Sequence, residues 1–283
     1  MQKTNIQIVL VLYKTNLQDS LSYTSFLQHV DYLSIPYSLL IYNNSPEVAV
    51  PASASYEVIT AQQNHFLQGA YTEALRVAQK NGAEWLLLLD QDTQLTDAYF
   101  KELSDLLSSG KAKAYDTLVP QLKKGEVHLS PCYYPKHKGP FWNSSLRPYQ
   151  GEDLQPNQIY VAFNSATVLS IAAIQAIGGF DALYPLDMLD YDYFYKLCKQ
   201  SSKMYVMSCT LEQELSLLSI DTSMSLTRYQ AYMRACKRFA RSLSRTCACL
   251  YRVRLCRTLL AQLLIAPKRK FAKFTFYSLF SMR

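Results

Sequence analysis

Apolar residues in this chain fall into short continuous runs separated by stretches of helical period. Ile6-Gln-Ile-Val-Leu-Val-Leu-Tyr13, Tyr37-Ser-Leu-Leu-Ile-Tyr42 and Trp85-Leu-Leu-Leu-Leu89 have strand length and end in polar turn residues. Such runs predict strands buried on both faces. A shorter strand is expected near Tyr56 to Thr60. Between the runs the period changes. A helix is expected from about Leu17 to Leu33, and Leu67, Ala70, Ala74, Leu75, Val77 and Ala78 share a helical face that stops at Asn81-Gly82. Alternating strands and helices predict an α/β domain with a mixed, mostly parallel sheet flanked by helices. Pro120 to Gln158 is rich in Pro, Gly, Ser, Lys and Tyr and reads as irregular connection.

In such a sheet, ligands bind beyond the carboxyl ends of the strands. Three predicted strand ends carry polar residues: Tyr13-Lys14-Thr15-Asn16, Asn43-Asn44-Ser45 and Asp90-Gln91-Asp92. A nucleotide can lie across them. Folding does not ask for two acids after Leu89, and two hard oxygen ligands there suit Mg²⁺ or Mn²⁺ shared with substrate phosphates. Asp187, Asp190 and Asp192 form a second acidic cluster. Their mutual repulsion tends to raise at least one pKa; the plain alternative is a solvated helix N-terminus favoured by the dipole. His29, His65, His128 and His137 are scattered, and only His65, beside Asn64, is a site candidate. No nucleophile elbow, phosphate-binding loop or dinucleotide fingerprint occurs. The seven cysteines hold no Cys-x-x-Cys pair, and Cys247-x-Cys249 lacks zinc partners nearby. An odd cysteine count fits free thiols in a reducing compartment.

At 283 residues and 49% hydrophobic, the chain is expected to form one sizeable catalytic domain with a short appendage. The first apolar run reads as a strand rather than a signal sequence, and no stretch reaches the roughly 18 apolar residues of a membrane helix. Charge marks the boundary. Up to Thr227 there are 15 Lys or Arg and all 22 Asp or Glu; from Arg228 onward there are 14 basic residues and no acid. We therefore divide the chain into a catalytic domain, 1–227, and a basic amphipathic helical tail, 228–283. In the tail, Tyr232, Cys236, Phe239 and Leu243 share one helical face and Arg234, Arg238, Arg241 and Arg245 the opposite one. Pro267-Lys-Arg-Lys270 with Phe271, Phe274, Phe276 and Tyr277 extends the pattern. It predicts contact with an anionic membrane surface, at about 1 kcal/mol per basic residue near the leaflet. The alternative is that this face packs on the catalytic domain or a second subunit. Nucleic acid is not expected, because the first part is acidic and no binding motif is present.

The order of these blocks resembles family 2 glycosyltransferases of the GT-A (Rossmann-like) fold. Strand plus Tyr13, strand plus Asn43-Asn44-Ser45, Asn64-His-Phe-Leu-Gln-Gly-Ala70 before a helix, and strand plus Asp90-Gln-Asp-Thr93 follow the family order. The Leu-Leu-Leu-Asp-Gln-Asp-Thr form looks most like its rhamnosyltransferase-like branch. Phe163-Asn-Ser-Ala-Thr-Val-Leu-Ser170, Ile177-Gly-Gly-Phe-Asp181 and Leu186-Asp-Met-Leu-Asp-Tyr-Asp-Tyr193 form a second matching block, and Leu211-Glu-Gln-Glu-Leu-Ser216 with Ser225 and Arg228-Tyr229 a third.

The resemblance implies a metal-dependent, inverting enzyme that moves a sugar from a nucleotide diphosphate donor to a glycan or lipid-linked acceptor. The setting it implies is bacterial surface polysaccharide assembly, in the cytoplasm and peripheral on the inner face of the cell membrane. Such transfer builds negative charge on the leaving diphosphate, which a divalent cation stabilises, and needs a base for the acceptor hydroxyl. By resemblance, Asp90 and Asp92 hold metal and diphosphate, and Asp190 is the base. Tyr13, Asn43, Asn64 and Gly69 line the nucleotide pocket, and Tyr133, Tyr134, Phe141 and Trp142 are candidates for stacking on the acceptor. Gln213 stands where the family often has a His that ligates metal or diphosphate; as a ligand for Mn²⁺ it is weaker than imidazole, and Glu212 or Glu214 can substitute. Thr72 replaces a usual Asn. Lys196 replaces a usual Arg and gives up its planar fork. Rhamnose is the donor sugar the branch implies, with a UDP-hexose or UDP-N-acetylhexosamine as alternative. The non-enzyme alternative is a degenerate relative that binds nucleotide or docks partners.

Overall fold

The computed structural model describes residues 6–134, 147–149, 158–213, 224–265 and 268–280. Phe141, Trp142, His137 and Glu214 lie outside the described residues. The chain forms two compact units, Met1–Tyr133 with Pro148–Glu214, and Tyr134–Arg147 with Leu215–Arg283.

The apolar runs of the first unit become the centre of its sheet. Strands β1 (Ile6–Leu12), β2 (Tyr37–Asn43), β3 (Glu57–Thr60) and β4 (Trp85–Asp90) lie parallel, and every residue of β1 is buried. The next strands are β5 (Thr117–Lys124), β6 (Val127–Ser130), β7 (Cys132–Tyr133), β8 (Tyr160–Val161), β9 (Thr167–Ser170) and β10 (Met204–Glu212). The large sheet runs β10-β5-β9-β4-β1-β2-β3, with β6 on β5. β9 is antiparallel to β4 and β5, while β10 runs parallel to β5. β7 and β8 pair in a small separate sheet. Because β1 has β2 on one side and β4 on the other, the order reverses between β1 and β4. In open α/β sheets such a reversal is where ligands bind, at the carboxyl ends of the strands.

Two expectations need correction. The region after Pro120 is not all irregular, since Pro120 itself lies inside β5. The β5–β10 ladder pairs Val119 with Val206 and then slips to Gln121 with Thr210, so the proline, which has no N–H to give, falls in the irregularity. The helix expected from Leu17 to Leu33 is broken into a short turn, helix α1 (Leu21–His29) and a second short turn. Ser20 causes the break: its hydroxyl accepts from Tyr23 N–H (3.2 Å) and starts a new helix.

Helix α2 (Phe66–Lys80) buries Ala70, Ala74, Leu75, Val77 and Ala78 of the expected face, leaves Leu67 half-buried and adds Tyr71. Helices α3 (Asp97–Ser108), α4 (Ile171–Ala176) and α5 (Leu189–Lys199) complete the unit.

The second unit holds helices α6 (Leu226–Leu243), α7 (Arg245–Leu264) and α8 (Arg269–Phe280). Cys236 and Phe239, read from sequence as a membrane-facing stripe, are buried together with Tyr229 and Met233. The Tyr229 ring packs on Phe271 at 4.5 Å, and its hydroxyl joins Thr275 (2.7 Å) and Gln262 (2.8 Å) in a buried network. This stripe is the interior of a three-helix unit, because an apolar face beside two other helices is buried against them first. No helix among the described residues is long and apolar enough to cross a membrane.

Candidate active site at the strand ends

Asp90 ends β4 at this edge of the sheet. Its partners are set by register: Thr167 of β9 pairs with Leu88, which carries Ser165 opposite Asp90. Ser165 Oγ donates to Asp90 Oδ2 (2.8 Å), and Tyr71 Oη of α2 donates to Oδ1 (3.1 Å). Burial pushes the Asp90 carboxyl above its ordinary pKa, and these two hydroxyls pull it back. The loop that follows is pinned from α1. Ser22 Oγ bonds the Asp90 carbonyl and accepts from Thr93 N–H (2.9 Å), and Ser20 Oγ donates to the Gln91 carbonyl (2.9 Å). Gln91, the middle residue of the acidic triplet, accepts from Tyr13 N–H (2.8 Å) and so ties the ends of β1 and β4 together.

Asp190 sits in the first turn of α5 and accepts from Tyr191 N–H (2.9 Å). Its pKa is pushed up to about 7, chiefly by burial. The Tyr191 N–H opposes that push, while the charges of Asp187 and Asp90 add to it. Asp190 and Asp90 therefore share one electrostatic environment. Its floor is aromatic: Tyr71 packs on Phe180 (5.5 Å), and Phe180 on Tyr193 (5.7 Å). Tyr193 Oη donates to Asn164 Oδ1 (3.0 Å), next to Ser165. Gly178 and Gly179 have φ of +86° and +81°, a left-handed turn that brings Phe180 into this layer. Asp181, the next residue, accepts from Lys196 Nζ (3.0 Å), which also pairs with Asp192 at 2.7 Å. Asp192 is thus a buried ion-pair partner. Lys196 reaches both acids from one ammonium.

The nucleotide-side candidates are brought to one edge but differ in what their side chains do. Tyr13 is 44% exposed beyond β1. Asn43 is buried and spends its side chain on the loop, donating to the Val48 carbonyl (2.7 Å) and accepting from Ser45 N–H (2.9 Å). It shapes the edge rather than facing outward. Asn64 accepts from Phe66 N–H (2.7 Å) at the start of α2. His65 bonds Tyr42 Oη through Nδ1 (3.0 Å), and its backbone N–H donates to Asn44 Oδ1 (2.9 Å). A Cβ on Gly69 would lie 2.5 Å from His65 Cβ, so only glycine fits there. Thr72 accepts from Gln68 at 3.0 Å on the exposed side of α2. Tyr133 is half-buried against Tyr160 (6.5 Å), and Tyr134 is buried.

Lys14, Phe66, Ala166 and Met188 have positive φ (54°, 57°, 58° and 67°), and each adjoins one of these loops. Left-handed backbone costs a non-glycine residue about 1–2 kcal/mol, and such strain gathers where a site is built.

Asp92 stands exposed on the rim, with Gln213 beside it. Gln213 Nε2 donates to Asp92 Oδ1 (3.2 Å), while its Oε1 accepts from Thr93 Oγ1 (2.7 Å). A carboxylate needs a donor, so the amide nitrogen must face Asp92 and the amide oxygen is turned away. In this arrangement Gln213 orients Asp92 and spends its amide oxygen on Thr93. Glu212 pairs with Lys123 at 3.7 Å. No group of three or more acidic, His or Cys side chains among the described residues gathers around a common point. The donor set suits a Mg²⁺- or Mn²⁺-type ion, which takes one or two carboxylates and completes its shell with water and phosphate oxygens.

Sequence reasoning missed Tyr71 and the α1 serines. The one signal was a tyrosine on an otherwise aliphatic helix face, whose buried hydroxyl requires a partner.

No protein-family model and no curated protein sequence matches the chain. Among solved structures, it superposes on GalNAc-T7 crystallised with UDP, GalNAc and Mn²⁺, with a TM-score of 0.53 and 12% identity. That match covers 82% of this chain and 47% of the other, so the chain spans about half the length of that structure. It also matches the mannosyltransferase PcManGT from Pyrobaculum calidifontis in complex with GDP-Man and Mn²⁺ (TM-score 0.47, 10% identity, 98% of this chain and 85% of that one). The fold of the first unit is GT-A.

Proposed function

We propose that the protein is a metal-assisted, inverting glycosyltransferase using a nucleotide diphosphate sugar. The observation that carries this is Asp190: a carboxyl on an aromatic floor beside Asp90, at the switch point of a GT-A sheet, where burial pushes it up to about 7. A base poised near the working pH is what removal of a sugar hydroxyl proton requires. In the transfer, Asp190 takes the acceptor O–H proton as that oxygen bonds the anomeric carbon. The bond from that carbon to the phosphate oxygen breaks, and the diphosphate leaves with the electron pair. Attack from the side opposite the leaving group inverts the centre.

Asp92 is the residue that would hold the cation, with Gln213 orienting it; a bound divalent ion would neutralise the diphosphate charge. Asp90 already has both oxygens engaged, which suits it to fixing the donor and the local field. Tyr13 and the loops shaped by Asn43, Asn44, Asn64 and Gly69 would flank the nucleotide.

The motif favours dTDP-rhamnose as donor. The UDP in the GalNAc-T7 structure keeps a UDP-sugar as the second reading. A glycan or lipid-linked acceptor of bacterial surface polysaccharide assembly, met on the cytoplasmic side of the membrane, fits this reading. Thermal stabilisation by UDP, dTDP and GDP, each with and without Mn²⁺, tests it. A Mn²⁺-dependent shift with one diphosphate, lost in Asp92→Ala, is expected. No shift with any of them sinks the donor pocket.

A further inference from the structure

Helix α7 has two apolar stripes. Tyr251 and Leu255, with the hydrogen-bonded Gln262, form the buried one, inside the three-helix unit. On the opposite side, Cys249, Val253, Cys256, Leu260 and Leu263 recur at alternating spacings of four and three residues, and all are exposed. Val253 is 58% exposed, Leu260 61% and, at the end of the stripe, Leu264 80%. A helix apolar on both sides normally has partners on both. Arg252 and Arg257 flank the outer stripe, one on each side. Helix α8 repeats the chemistry, with exposed Phe276, Tyr277 and Phe280 beyond exposed Arg269, Lys270 and Lys273.

We propose that the outer stripe of α7, with the aromatic end of α8, is a docking face for an anionic lipid surface. Charge selects the occupant. The residues from Arg228 onward carry 14 cations and no anion. A second copy pairing on the stripe would set Arg252 and Arg257 against their own copies and add like charge to like. A polyanion such as nucleic acid matches the arginines but offers nothing apolar to Val253 and Leu260. An anionic bilayer surface matches both, with acyl chains for the stripe, headgroup phosphates for its flanks and an interfacial zone for Tyr277. This places membrane contact on α7 and α8, not on the α6 face that the periodicity pointed to. The proposal stands apart from the catalytic reading, since a soluble donor-hydrolysis assay reports the first unit without vesicles.

The experiment is flotation of the full chain with vesicles of phosphatidylcholine alone and of phosphatidylcholine mixed with phosphatidylglycerol. Binding is expected to the mixed vesicles only. In Val253→Gln/Leu260→Gln it should weaken by about tenfold or more, while the melting temperature, which reports folding, stays unchanged. Cys249 and Cys256, exposed on the stripe, give a second readout. Both should react with a membrane-impermeant maleimide in solution and be protected once mixed vesicles are bound. Unchanged labelling on bound protein would place the contact elsewhere and overturn the proposal. So would vesicle indifference combined with a wild-type dimer that Val253→Gln/Leu260→Gln dissociates, because the stripe would then serve a second copy.

Discussion

Asp190 ties function to stability at a single carboxyl. Its pKa is raised from 3.8 to about 7, so the folded state favours the protonated form. Stability from this group is complete below about pH 4 and is lost as pH rises through 7. The proposed transfer needs the opposite, the ionised base. Transfer activity should therefore climb as pH rises through about 7, and Asp190→Asn should lower it by about 10²–10⁴-fold. The same variant should melt higher than wild type at pH 8, by about 1–2 kcal/mol in stability after discounting for the carboxyl's partial exposure, and no higher at pH 4. A melting difference independent of pH would contradict the raised pKa. Tyr71→Phe removes one donor from Asp90. It should destabilise the fold by about 1–2 kcal/mol, more at pH 8 than at pH 5, in paired chemical denaturations. The acids themselves are legible in the sequence. Their partners Tyr71 and Ser165 are not, because they come from segments that meet Asp90 only through packing and strand register.

At the scale of elements, the site depends on loops held in conformations that their own residues resist. The entry to α2 turns on Gly69, whose missing Cβ lets His65 close over the helix start while bonded to Tyr42 and Asn44. Gly69→Ala must push His65 aside, at about 1–3 kcal/mol. A lower melting temperature together with weaker diphosphate binding is expected, and an unchanged melt would show that the loop yields freely. Strand positions could be read from sequence because each apolar run is buried on both sides and needs no partner to be recognised. The breaks could not. Ser20 divides a helix that periodicity joins, and Pro120 sits within a strand because the β10 ladder slips at that point. Both outcomes depend on neighbours that local pattern does not contain.

At the scale of the whole molecule, the acidic first part and the basic tail give the chain two different electrostatic characters. Raising ionic strength should weaken binding to phosphatidylglycerol vesicles while leaving metal-dependent nucleotide binding nearly unchanged, because exposed charges are screened within about 10 Å at 0.1 M salt. Parallel loss of both would mean that one surface serves both ligands. The sequence by itself determined the alternation that makes the sheet, the acids that end β4, and the charge boundary, since each is a property of composition or local order. Only the tertiary structure decided that burial pushes the Asp190 carboxyl up to about 7 while Asp192 is spent on Lys196. Only there does Gln213 turn its nitrogen to Asp92, and only there is the tail's interior stripe told apart from its exposed one. Desolvation, hydrogen-bond direction and the choice between two apolar faces depend on which distant side chains arrive beside them, and packing alone brings those together.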